Sequence, residues 1–93
     1  MEKNNKKTIT LTITAPTKKE TLTIKWLEVT TTSGNRVIEP GHEPLIAQLA
    51  PDSALRYKKE NDEIDSHGIS AGILQIDRTP TKTTAMVIIS DYY

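Results

Sequence analysis

Val37-Ile38-Glu39-Pro40-Gly41-His42-Glu43-Pro44-Leu45-Ile46-Ala47-Gln48-Leu49 is unlike the rest of this chain, because it joins a Pro-Gly pair, a histidine, a second proline and an apolar tail. Pro40 presets φ for a turn and Gly41 accepts positive φ, so the pair fixes the direction in which the chain leaves. Pro40 and Pro44 together exclude a regular helix across the stretch. His42 is therefore expected on a rigid corner between extended segments.

Outward from this corner the pattern has the period of strands. Residues 8–14 alternate Ile9, Leu11 and Ile13 with threonines, as a half-buried strand does. β-branched threonine also fits a pleated surface. Residues 15–20 carry turn and charge signals. Leu22, Ile24 and Trp26 resume the alternation, which then jumps phase to Leu27 and Val29. Such a jump predicts a bulge, or a strand crossing between two sheets. Residues 30–35 read as a polar loop. Beyond the corner, residues 54–58 and 63–67 flank a charged turn at 60–62, and residues 68–77 and 84–90 flank a turn at 78–83. Residues 85–89 are apolar on both faces, which predicts a central strand covered on each side. No segment has helical period. The expected fold is all-β, a two-sheet β-sandwich or flattened barrel of about ten short strands.

A chain of 93 residues fits one domain, and a domain this small buries only about 60 to 70% of the surface its unfolded form exposes. Residues 1–7 hold nothing that could be buried and are expected to form a disordered tail, with the domain at 8–93. Lys+Arg 12 against Asp+Glu 12 leaves a net charge of +0, so no field attracts phosphate or anionic lipid over long range and nucleic acid is not an expected partner. The chain has no cysteine, which removes disulfides and thiolate chemistry and favours a reducing, cytoplasmic setting. No apolar run approaches the roughly 20 residues of a membrane-spanning helix, and no signal-peptide pattern follows Met1. The isolated chain is expected to be soluble, without direct membrane insertion.

Two places invite a chemical site. His42-Glu43 and Asp65-Ser66-His67 set imidazoles beside carboxylates and a hydroxyl, which raises the alternative of a small metal-dependent enzyme. An open metal site needs three convergent protein ligands, and neighbours on a strand point to opposite faces. Surface or interface histidines fit better. Gly34, Gly41, Gly68 and Gly72 make no phosphate loop, since none opens a helix with a lysine and a hydroxyl in place. Asp77-Arg78 reads as a solvated ion pair at a hairpin. A second alternative is a free-standing binding module, for instance for a carbohydrate. Such modules present aromatic platforms, and Trp26, Tyr57, Tyr92 and Tyr93 are few and scattered. No catalytic residue, cofactor or metal site is expected.

The corner and its surroundings resemble the epsilon subunit of F-type ATP synthases, whose N-terminal β-sandwich carries a Gly-Ile-x-Pro-Gly-His-x-Pro-Leu element. Ile69-Ser70-Ala71-Gly72-Ile73-Leu74-Gln75-Ile76 is similar to the family's Ser-Gly-Gly strand, residues 86–91 to its closing strand and residues 9–15 to its opening one. Val37 stands where the family usually has Gly, Ala71 replaces one Gly, residues 78–83 make a longer hairpin, and an acidic residue common before the Pro-Gly-His element is missing. The family commonly continues into a two-helix hairpin that carries inhibition, whereas this sequence reaches Tyr93, as short forms do. The resemblance implies a non-catalytic rotor part, held between the gamma subunit and the c-ring of an ATP synthase, peripheral at the cytoplasmic face of the inner (plasma) membrane. It places Thr14, His42 and Ala47 toward gamma, and Ser33, Gly34, Asn35 and Arg36 toward the c-ring. For His42, a hydrogen bond within its own loop remains the alternative reading.

Overall fold

A computed structural model describes residues 8–90. The expected tail at 1–7 and the last three residues, Tyr92 and Tyr93 among them, lie outside the described residues. All regular structure among those described is strand: β1 (Ile9–Ala15), β2 (Lys18–Thr31), β3 (Gly34–Ile38), β4 (Leu45–Leu49), β5 (Ser53–Lys59), β6 (Ile64–Ile69), β7 (Gly72–Thr79) and β8 (Lys82–Ile89). Eight strands come close to the expected ten or so, although several segments read as turns are ladder. Ala15 pairs with Lys18, Thr31 with Gly34 and Thr79 with Lys82, so each of these hairpins turns in two residues. The stretch 68–77 goes the other way. It breaks at Ser70-Ala71, between the end of β6 and the start of β7.

Hydrogen bonding runs through β1-β8-β7-β4-β2-β5-β6, with β3 on β2 and β1 also on β2. β2 makes one network of the two layers. One of its edges carries β1 along residues 18–24 and then β3 along 27–31. The other carries β5 along 24–28 and meets β4 at Thr31. Bonds from Thr32 N–H to the Gln48 carbonyl (3.0 Å) and from Ala50 N–H to the Thr30 carbonyl (2.8 Å) fasten that last seam. β1 and β8 run parallel, and every other pair is antiparallel.

Ring closure forces β2 to bend. Its two ends are joined by a path of five rungs and one chain step, through Thr31, Leu49, Gly72, Ile89, Ile88, Thr14 and Lys19. At about 5 Å a rung this path is at most roughly 30 Å. Straight strand from residue 19 to residue 31 would span roughly 40 Å. The bend has its device at Lys25, where the pairing with β5 steps from Ile24↔Lys59 to Trp26↔Lys58 and leaves one extra residue on β2. Ile24 is inward before this bulge, and Leu27, Val29 and Thr31 are inward after it. The phase jump in the sequence is thus both the bulge and the crossing between layers.

The core draws on all eight strands. Ile9, Leu11 and Ile13 of β1 meet Leu27 and Val29 of β2, Ile38, Leu49, Leu55, Ile69, Leu74, Ile76, Val87 and Ile89, with Tyr57 the largest side chain enclosed. With no phenylalanine in the chain, branched aliphatics supply most of the burial, each worth about 1.5–3 kcal/mol when fully enclosed.

Candidate functional site

The corner forms as the Pro-Gly pair requires. Ile38 is buried and anchors its start, while Leu45 packs against the core after it. His42 N–H reaches the Glu39 carbonyl at 3.0 Å and Gly41 has φ 87°, a turn with proline second and a positive-φ residue third. Two bonds then tie the corner to the β7–β8 hairpin. Gly41 N–H donates to Thr83 Oγ1 at 2.7 Å, and Arg78 Nη1 donates to the Gly41 carbonyl at 3.0 Å. The expected Asp77–Arg78 ion pair gives way to this arrangement, and the Asp77 carboxylate accepts from Gln75 Nε2 at 3.1 Å instead. His42 is half-buried, with Nδ1 2.7 Å from the Glu43 carbonyl. A carbonyl only accepts, so Nδ1 carries the proton of this bond. The hydrogen bond within its own loop, the alternative reading of His42, is therefore present.

The second feature is the outer face of β1, β8, β7 and β4. Register places Thr14, Ile88, Ile73 and Gln48 on one row and Thr12, Met86, Gln75 and Ile46 on the next. Ile46 is 73% exposed, Ile73 and Ile88 50% and Met86 43%. β8 is flanked by β1 and β7, but no described residue covers its second face. The two-faced apolar pattern of residues 85–89 therefore marked an open apolar face. Alternation against buried Ala85, Val87 and Ile89 was the sign that could have located it.

The three residues that the resemblance set toward gamma do not converge. Thr14 borders the apolar face beside Ile88. His42 lies at the Thr83 end, several residues back along β8. Ala47 alternates with exposed Ile46 and Gln48 and pairs with buried Leu74, so it belongs to the inner side. Ser33, Gly34, Asn35 and Arg36 do stay together, as the tip of the β2–β3 hairpin and the start of β3, all exposed. Thr31 Oγ1 stiffens that tip, donating to the Gly34 carbonyl at 2.9 Å and accepting Ser33 N–H at 3.1 Å. Gly34, at φ 124°, takes a conformation that a side chain would strain.

The other layer has a different outer surface. Arg56 pairs with Glu28 at 2.8 Å, and Asn35 Nδ2 donates to the same carboxylate at 3.1 Å. Lys25 and Lys58 both reach Asp62, at 2.6 and 3.8 Å. The Lys25 ammonium holds the Asp62 carboxyl below its ordinary range, and hydrogen bonding to Asp65 raises the Lys59 ammonium. One layer thus presents isoleucine and threonine, and the other a lattice of ion pairs.

The two histidines stand on separate elements. His67 Nε2 lies 3.0 Å from the Tyr57 hydroxyl, while Ser66 faces the opposite way on β6. Among the described residues no group of three or more His, Asp or Glu is gathered to hold a metal ion. Tyr57 is 1% exposed, which takes it out of any sugar-stacking surface. No helix among the described residues is long and apolar enough to cross a membrane.

Comparison with known proteins agrees with this architecture. A family model described as ATP synthase, Delta/Epsilon chain, beta-sandwich domain, matches residues 8–90. The chain is similar to one in the cryo-EM structure of the Euglena gracilis mitochondrial ATP synthase, OSCP/F1/c-ring in rotational state 1, with TM-score 0.85, 21% identity and coverage of 100% of this chain and 57% of that one. It is also similar to one in the Tetrahymena thermophila mitochondrial ATP synthase central stalk/c-ring, with TM-score 0.72, 14% identity and coverage of 91% and 65%. At these identities the likeness is one of fold, and this chain spans less than two thirds of either relative. No curated protein sequence matches it. On the match across residues 8–90, the chain belongs to the ATP synthase Delta/Epsilon chain family, whose β-sandwich domain it carries.

Proposed function

We propose that this chain is a non-catalytic central-stalk (rotor) subunit of an F-type ATP synthase, which docks on gamma and on the c-ring and couples ion-driven rotation to ATP synthesis. The observation that carries this is the open apolar face of Ile46, Ile73, Met86 and Ile88 on a domain of this family. Side chains half exposed on neighbouring strands gain roughly 1 kcal/mol each when covered, enough to centre an interface. Gamma is the partner for that face, with Thr14 at its border and His42 Nε2 accepting a hydrogen bond at the corner. Ala47 acts from beneath, by fixing how β4 packs. The polar hairpin tip of Ser33, Gly34, Asn35 and Arg36 suits polar loops of the c-ring. Through that ring the chain sits peripherally at the cytoplasmic face of the inner membrane.

The test is co-expression with a gamma subunit from the same genome, followed by size-exclusion chromatography. Co-elution is expected, and Ile88→Asp abolishes it while the variant stays folded. Separate elution of two folded proteins refutes the reading.

A further inference from the structure

We infer that Thr83 and Arg78 are positioning residues for His42, so that the β7–β8 hairpin sets the angle at which the corner is presented; this rests on the reading of His42 as a gamma-facing residue. Within itself the corner is closed by one backbone bond, His42 N–H to the Glu39 carbonyl. With Ile38 and Leu45 anchoring its two ends, that single bond closes the turn but does not itself fasten the tip to the neighbouring hairpin. The two bonds to Gly41 supply that fastening. They grip both polar groups of one residue, the N–H from Thr83 and the carbonyl from Arg78, across separations of 42 and 37 residues. Gly41 immediately precedes His42 and lies at φ 87° within the turn, so the clamp bears on the residue that carries the chain into His42. Thr83 and Arg78 face each other on one rung of the hairpin, so the clamp has a common base. Thr83 is 5% exposed, although threonine on a hairpin strand is normally solvated. Its burial places the hydroxyl at the Gly41 N–H, which loses its acceptor if the hydroxyl goes.

The experiment uses the full-length chain, isotope-labelled, with the gamma subunit. Thr83→Val removes the hydroxyl at nearly constant volume, Thr83→Ser restores it, and Arg78→Met removes the donor while keeping the stem. In the free chain, Thr83→Val and Arg78→Met are expected to move the His42 ring nitrogen resonances and speed exchange of the Gly41 amide, and Thr83→Ser to leave both in place. With gamma, Thr83→Val and Arg78→Met each weaken binding about three- to tenfold, with Thr83→Ser restoring affinity. Combined with His42→Ala, neither weakens it further, because the clamp acts through His42. Unchanged His42 resonances in both clamp variants overturn the inference, and so do losses that add fully to that of His42→Ala. If His42→Ala alone binds gamma as the parent does, the assignment of His42 to the interface fails instead, and with it the role of the clamp in docking. The resonances of the free chain tell these two failures apart.

Discussion

Gly72→Ala should destabilise this domain, although Gly72 has no unusual φ and alanine suits a strand better than glycine does. The reason is space. Gly72 lies on the rung Leu49–Gly72–Ile89, where a β-carbon would meet Ile89 Cγ2 at 2.8 Å, the Ile88 carbonyl oxygen at 2.9 Å and Leu49 Cδ1 at 3.2 Å. The Ile89 and Leu49 methyls could shift by a rotamer, but the carbonyl belongs to β8, paired to β7 along its whole length. Overpacking of this kind costs about 1–3 kcal/mol, and the stiffer unfolded chain of an alanine variant returns about 0.4–1 kcal/mol. The net loss of up to about 2.6 kcal/mol corresponds to a melting temperature lower by up to about 20 °C for a domain of this size. Thermal denaturation followed by circular dichroism gives that shift, and urea denaturation should show a lower midpoint at unchanged slope. A Gly72→Ala variant that melts above the parent temperature would refute the steric argument. Ala71→Gly is the control: Ala71 is exposed, so the change should cost no more than about 1 kcal/mol.

Leu74→Ala empties the centre of β7 and should destabilise by about 2–5 kcal/mol, read as a urea midpoint. Ile73→Asp, on the opposite face of the same strand, should change stability by less than about 1 kcal/mol yet lower gamma affinity at least about tenfold by calorimetry. Asp62→Asn should matter only where Asp62 is ionised. Lys25 lowers this carboxyl from its ordinary 3.8, so the folded chain binds fewer protons than the unfolded one. The contribution is full above that value and disappears as pH falls through the folded one. Melting curves of the two proteins should therefore differ slightly at neutral pH and converge in acid.

The sequence carried the fold through alternation. Ile9, Leu11 and Ile13 announced β1, and the slip between Trp26 and Leu27 announced both the bulge and the crossing. Pro40-Gly41 announced the turn. Hairpin lengths were less legible, because Lys18, Lys19 and Glu20 look like loop residues by charge, yet their backbones pair with β1, with Lys18 and Lys19 exposed and Glu20 half-buried. The break at Ser70-Ala71 was hidden by apolar residues on both sides. The site was harder to read. Thr83 and Arg78 lie about 40 residues from Gly41, and no local pattern reports a bond over such a separation. The outer face was hidden for another reason, since Met86 and Ile88 read the same whether covered by this chain or by another protein. Ala71 is the simplest case: the exposed position tolerates a methyl, and its neighbour Gly72 has no room for one.

The bend of β2 has a mechanical consequence. Two layers that met only through side chains could slide over one another by rotamer changes, so a load on one face would reach the other late and diminished. Here one covalent strand passes from layer to layer and is hydrogen-bonded on both sides of its bulge. Shear between the faces must stretch that strand or break its ladder, and neither yields gradually. A twisting force applied to one surface therefore arrives at the other with little backlash, carried through the bulge at Lys25.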